Sequence, residues 1–331
     1  MSTREPFVTP RDTGVQMSPS PDARAAPPRG TAADWLAELR APFLTASVVP
    51  VAVGAAVALC LEGGLDWTLL GLTLLAVVLL HLGANVTNDY WDFLRGTDVV
   101  NRSRTPYSGG SGLLADGRLR PRAVLRLGLG LLAAGALAGL LLARLVDGGG
   151  WWVVVLMGAV GVGGAYFYSA PPLSLASRGL GELVIGSTFG VLVVAGTCFV
   201  QTGGFPPEAL AASVPVALWV AAIIWANQIP DLEADRATGK RTLVVRLGEV
   251  RSVGVLAALL GVAIGVVAAL SIAGPLPRGA LLALVAIAPS TLAIEAAARS
   301  HGLFPQIERA QAWTILSHLT GGVLLAVGLV V

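Results

Sequence analysis

Charge is what this chain has least of. Asp, Glu, Lys and Arg together make up 13% of its 331 residues, and lysine occurs once, as Lys240. That is too little charge for the surface of an ordinary water-soluble protein. Cysteine is nearly as rare: Cys60 and Cys198 lie in apolar stretches with no CxxC spacing, so neither a disulfide nor a zinc site is implied. A formal net charge of +2 is close to neutral, and no nucleic-acid partner is expected. The glycine-rich run Pro106-Tyr107-Ser108-Gly109-Gly110-Ser111-Gly112 lacks the GxxxxGK[ST] pattern and the βαβ setting of a nucleotide loop. Residues 1–33, rich in Pro, Ser, Arg and Ala, contain no apolar run that would serve as a signal sequence, and read as a disordered tail.

What the chain has instead is apolar length. Hydrophobic residues make up 55% and mean hydropathy is +0.75, the values of a polytopic membrane protein. Asp34–Arg40 reads as a short interfacial helix with Trp35 at headgroup level, and Pro42 opens the first span. Apolar runs follow at roughly 43–61, 67–91, 123–143, 151–168, 181–200, 209–229, 252–273, 279–297 and 311–331. The expected architecture is therefore all-α, a membrane domain of nine transmembrane helices over 34–331. Nine spans place 20 of the 22 basic residues on the side of the N-terminal tail, leaving Arg144 and Arg278 opposite. By the positive-inside rule that side is cytoplasmic, in a multi-pass protein of the cell membrane.

Two acidic stretches stand at the ends of two of these runs. Asn85, Asn88, Asp89 and Asp92 fall at i, i+3, i+4 and i+7, one face of a helix, with Asp98 just beyond Gly96. Far along the chain Asn227, Asp231 and Asp235 repeat the arrangement at i, i+4 and i+8. Carboxylates near membrane depth cost about 2.5–3.5 kcal/mol each on insertion scales, so a chain keeps them for an ion, a substrate or a proton path. Both clusters face the same side.

Basic residues follow each cluster: Arg102 and Arg104 after the first, Arg236, Lys240 and Arg241 after the second. Carboxylates beside Arg and Lys suit a magnesium-bridged phosphate, because Mg²⁺ takes carboxylate and phosphate oxygens while Arg grips phosphate bidentately. Topology alone would also put basic residues here.

The segments Asn88-Asp89-Tyr90-Trp91-Asp92 with Gly96-Thr97-Asp98, and Asp231-Leu232-Glu233-Ala234-Asp235 running on to Gly248, resemble the two signatures of the UbiA superfamily of intramembrane prenyltransferases. The resemblance covers the chain from about residue 35 onward. It implies a nine-helix bundle around a central cavity, in which two Mg²⁺ ions bind the diphosphate of a polyprenyl donor whose tail leaves through a lipid-facing opening. Carried over by position, Asn88, Asp89 and Asp92, with Asp98 close by, hold one ion, and Asp231 and Asp235 hold the other. Arg102, Arg104, Lys240 and Arg241 would bind diphosphate, and Asn85 and Asn227 would line the inner face. Ionising an allylic diphosphate leaves a cation that needs a dry cavity and π-faces, for which Tyr90, Trp91, Tyr166 and Tyr168 are candidates. A small aromatic acceptor then attacks the cation.

Within the superfamily, Asp98 follows Asp92 by six residues, whereas the ubiquinone-type pattern would put an acid at position 96. The longer spacing, the stretch Thr238–Gly248 and Gly179-Leu180-Gly181-Glu182-Leu183 are similar to the menaquinone-pathway branch that prenylates 1,4-dihydroxy-2-naphthoate. Pro230 stands where that branch usually has Arg, and in a helix it removes a backbone donor and introduces a kink. Tyr168–Leu173 resembles a loop of the chlorophyll-synthase branch, so chlorophyllide-, benzoate- and carotenoid-type acceptors stay open.

His81, two turns before Asn88, either reaches the acceptor or hydrogen-bonds within the bundle, and Glu182 reads as a helix N-terminal carboxylate that also has the option of orienting the Tyr168 loop. From another class, an ion-coupled transporter would bind its ion at the midplane, whereas these acids cluster at one side. The alcohol phosphotransferases need DGxxAR, which Asp92-Phe93-Leu94-Arg95 does not supply.

Overall fold

The structure is a computed structural model and describes residues 30–146, 148–300 and 304–331. The tail assigned to residues 1–33 lies outside the described residues as far as residue 29. Thr31 already belongs to the folded part: it caps helix α1 (Ala32–Glu38) through a capping box with Asp34.

Among the described residues every regular element is helical. After α1 come α2 (Thr45–Glu62), α3 (Trp67–Arg95), the single turn α4 (Thr97–Val100), α5 (Pro121–Leu145) and α6 (Trp151–Phe167). The second half holds α7 (Gly181–Thr202), α8 (Pro207–Ala237), the short α9 (Leu243–Leu247), α10 (Glu249–Ala273), α11 (Arg278–Ala298) and α12 (Phe304–Val330). Each apolar run of the sequence becomes a helix. Eight are long and apolar enough to cross a membrane. The expected ninth, α6, has 17 residues, which at 1.5 Å per residue is about 26 Å against a hydrocarbon core of about 30 Å. Its ends nonetheless sit at opposite ends of the bundle. Gly150 lies against Phe199 near the end of α7, while Ser169, just past the other end, meets Asn88.

The centre of the bundle is α8, buried along most of its length and packed against α2, α10 and α12. Trp219 is fully buried here, and Trp225 donates its indole N–H to the Ser252 carbonyl at 2.8 Å. Because lipid is as apolar as leucine, helices in a membrane are held by close packing, and small residues supply it. A Cβ added at Gly190 of α7 would stand 2.3 Å from the Ala217 Cα of α8. The helix continues through Pro215 and Pro230.

Helix ends place the acids. Gly96, at φ +83°, closes α3 in the left-handed conformation that glycine adopts without steric cost, and the chain turns at once into α4. Asp98 is thereby carried back towards the α3 face it could not occupy as part of that helix.

Candidate active site

A cavity of about 680 Å³ runs between α3, α5, α6, α7 and α8, and both acidic stretches stand at one end of it. Its wall includes Asn85, Asn88, Asp92 and Asp98 from the first stretch and Asn227, Asp231 and Asp235 from the second. Farther in, the wall is apolar, with Leu80, Val162, Phe189 and Leu192. It reaches Thr73, nineteen residues before Asp92 on α3, a rise of about 28 Å.

The carboxylates are closely partnered. Lys240 bridges the two stretches, its ammonium 3.0 Å from Asp92 and 3.1 Å from Asp235. Gly239, at φ +77°, turns the chain just past α8 so that the lysine folds back over the acids. Burial pulls the Lys240 ammonium towards neutrality, but Asp92 and Asp235 outweigh it and hold its pKa above the ordinary lysine value. Arg95 pairs with Asp92 at 3.2 Å while holding the Ser169 carbonyl and the Ser174 hydroxyl. Arg40 approaches Asp89 at 3.5 Å, and Asn88 donates its amide to Asp92 at 3.1 Å and to Ser169 at 2.7 Å.

The glycine-rich loop closes over this end. The Gly109 amide donates to Asp231 at 3.2 Å and the Ser111 amide to Asp89 at 2.6 Å. Gly110 sits at φ +69° with no room for a side chain: a Cβ there would be 2.8 Å from Asp98 Oδ2 and 3.2 Å from Asp89 Oδ1. Asn101 donates to Asp231 at 2.8 Å and so joins the loop to α8. Burial, with Asp92 and Asp89 beside it, pushes the Asp98 carboxyl well above the ordinary carboxylate range.

Among the described residues no three carboxylate, imidazole or thiol side chains converge closely enough to hold a metal ion as they stand. Their oxygens are instead turned to Lys240, Arg40, Arg95, Asn101 and the loop amides. The donor set itself suits a hard divalent cation. It is all oxygen, four of its carboxylates line one cavity end with Asp89 buried beside them off the wall, and the backbone of Gly110 lies so close to Asp98 and Asp89 that even a methyl group would displace them.

Several sequence-level candidates sit elsewhere. Arg102 and Arg241 are exposed and form no part of the cavity wall. Arg104 also stands off the wall, its guanidinium spent on the carbonyls of Gly109 and Asp98. Of the four aromatics considered for a cation, Tyr168 lines the cavity, whereas Tyr90 packs with Leu113 and Leu114. Asn85 and Asn227 both line it, Asn227 accepting from Gln311 of α12, which in turn accepts from Thr105. His81 lines it too, with its Nδ1 2.7 Å from the Ser47 hydroxyl and its ring edge-on to Phe189. Sequence reasoning passed over Arg40, Asn101, Tyr107, Gln228 and Gln311. Arg40 carried a faint signal, a cation at the head of the first span, but nothing in its spacing tied it to Asp89.

Comparison with known proteins agrees with this geometry. The UbiA prenyltransferase family matches residues 47–328. Over 243 residues, 73% of this chain and 75% of the relative, the chain is 31% identical to a 1,4-dihydroxy-2-naphthoate octaprenyltransferase of Bacillus subtilis. It is 34% identical over 231 residues to the Mycobacterium tuberculosis protein of the same name, covering 70% and 75% of the two chains. A UbiA homologue from Archaeoglobus fulgidus, solved bound to DMAPP and Mg²⁺, shares the fold, with a TM-score of 0.61 at 17% identity over 89% of this chain and 99% of that one. The chain thus belongs to the UbiA prenyltransferase family, and it is a multi-pass membrane enzyme that transfers prenyl groups.

Proposed function

We propose that the enzyme transfers a polyprenyl group from its diphosphate to 1,4-dihydroxy-2-naphthoate, in menaquinone biosynthesis, with Mg²⁺ as cofactor. The observation that carries this reading is the meeting of both acidic stretches at one mouth of a long apolar cavity, a polar end for diphosphate and a dry interior for hydrocarbon. The naphthoate enzymes named among its relatives support the acceptor, and the Mg²⁺ and DMAPP of the Archaeoglobus structure support cofactor and donor class.

In this reading Asn88, Asp89, Asp92 and Asp98 hold one ion and Asp231 and Asp235 a second. Bound Mg²⁺ supplies charge to the leaving diphosphate as the allylic C–O bond breaks and its electron pair departs with oxygen. Lys240 and Arg40, the cations that line the cavity mouth, meet that same developing charge. The Tyr168 ring faces the cation left behind, and the apolar wall keeps water from capturing it. The electron-rich ring of the acceptor forms the new carbon–carbon bond and then loses its proton or, from a carboxyl-bearing carbon, CO₂. The chain is read as one catalytic domain from residue 34, preceded by a tail, in the cell membrane with tail and acidic end in the cytoplasm.

The test is an assay in membranes or detergent. Geranylgeranyl or longer polyprenyl diphosphate is supplied with 1,4-dihydroxy-2-naphthoate or 4-hydroxybenzoate, with Mg²⁺ or EDTA. A prenylated naphthoquinol formed only with Mg²⁺ is the expected product. Transfer to 4-hydroxybenzoate in preference would overturn the acceptor, and full activity in EDTA would overturn the metal.

A further inference from the structure

One buried carboxylate near the site belongs to neither acidic stretch. Glu38, the last residue of α1, is 0% exposed, and among the described residues its Oε1 has no hydrogen-bond partner. A carboxylate withdrawn from water is costly unless something compensates it, so its retention calls for a reason.

Its other oxygen points to one. Glu38 Oε2 accepts the Ser111 hydroxyl at 2.6 Å, and the Ser111 backbone N–H donates to Asp89 Oδ2, also at 2.6 Å. Ser111 is thus clamped between the two carboxylates, by its side chain on one side and its backbone on the other. The preceding residue, Gly110, lies against Asp98 and Asp89 with no space for even a methyl group, so any shift of this loop moves both acids.

The helix carrying Glu38 is itself firmly seated. Trp35 and Leu39 pack into an apolar cluster with Leu113, Leu114 and Leu119 from the same loop, and Asp34 pairs with Arg118. Two residues on, Arg40 reaches Asp89 from the other side. The interfacial helix therefore grips the loop at both ends of 111–119.

We infer that Glu38 is a positioning residue: through the Ser111 hydroxyl it holds the glycine-rich loop on the first acidic stretch and so aims Asp89 and Asp98 at the cation they bind. The inference rests on the proposed Mg²⁺ site. Its ground is that partners hydrogen-bonded to metal ligands typically affect metal affinity by 10–100-fold.

The experiment is calorimetric titration of purified protein in detergent with Mg²⁺ alone, beside melting temperatures, for wild type, E38A, E38Q, S111A and the E38A/S111A double variant. Because glutamine still accepts from the serine hydroxyl, E38Q is expected to stay within about twofold of wild-type Mg²⁺ affinity, below that scale. E38A and S111A should each weaken it about tenfold, and the double variant no more than either alone, since both cut one linkage. Wild-type affinity in both E38A and S111A overturns the inference, as does additive loss in the double variant. A merely structural role would lower the melting temperature and leave the Mg²⁺ affinity in place. If E38A does not fold, S111A against wild type decides the matter. Failure of wild-type protein to bind Mg²⁺ at all would instead strike at the metal site itself.

Discussion

Replacing Gly110 by alanine is the sharpest test of how the loop serves the acids, because the same loop contains its own control. Gly110 and Gly117 have nearly the same φ, +69° and +68°. An alanine at either position meets the left-handed conformation at a cost of about 1–2 kcal/mol. They differ in what the new methyl group meets. At Gly117 there is nothing within 4 Å, whereas at Gly110 it stands 2.8 Å from Asp98 Oδ2 and 3.2 Å from Asp89 Oδ1. Ordinary van der Waals contact begins near 3.4 Å, so the Asp98 carboxylate or the loop must retreat by more than half an ångström. Misplacement of a reacting constellation by about 1 Å costs on the order of 100-fold in rate. The two variants should therefore lose similar stability in thermal melts, while kcat of prenyl transfer falls roughly 100-fold in G110A and less than about threefold in G117A. Equal activities in the two, high or low, would refute the reasoning, since strain is common to both and only the contact differs.

Other outcomes follow from the same geometry. Asp92→Asn and Asp231→Asn, one from each stretch, should abolish turnover while leaving the protein folded, and retained activity in both would sink the assignment of these acids to metal. Lys240→Met removes the cation between Asp92 and Asp235; breaking a buried pair costs about 3–5 kcal/mol, so the variant should melt markedly lower without Mg²⁺ and recover much of the loss when Mg²⁺ is added. An equal deficit with and without Mg²⁺ would mean that the lysine and the metal do not share those carboxylates. For orientation, in a chain whose Cys60 and Cys198 are replaced by alanine, a cysteine at the exposed Gly64 should react with an impermeant maleimide in intact cells. One at Glu233, exposed near the acidic end, should react only after permeabilisation, and the opposite pattern would reverse the proposed topology.

The apolar runs were readable as helices because a bilayer demands both length and hydrophobicity, and neither property depends on what packs against what. The acids stood out for the same reason, since carboxylates at the ends of such runs are expensive to keep. Even the return of Asp98 was foreshadowed by Gly96, whose backbone ends α3. The basic residues were another matter. Topology collects arginines on one side whether or not they bind anything, so spacing along the chain did not separate the exposed Arg102 and Arg241 from Arg40, which meets Asp89 across 49 positions of sequence. Asn101 meets Asp231 across 130 positions and Lys240 meets Asp92 across 148. Helix periodicity reaches only to neighbours three, four or seven residues away, and so by itself the sequence determined which helices form and which of their faces carry the acids. Which cations, amides and buried glutamate come to those acids was decided only when α1, the glycine-rich loop and α8 packed together, because contacts between distant segments depend on how the whole bundle closes.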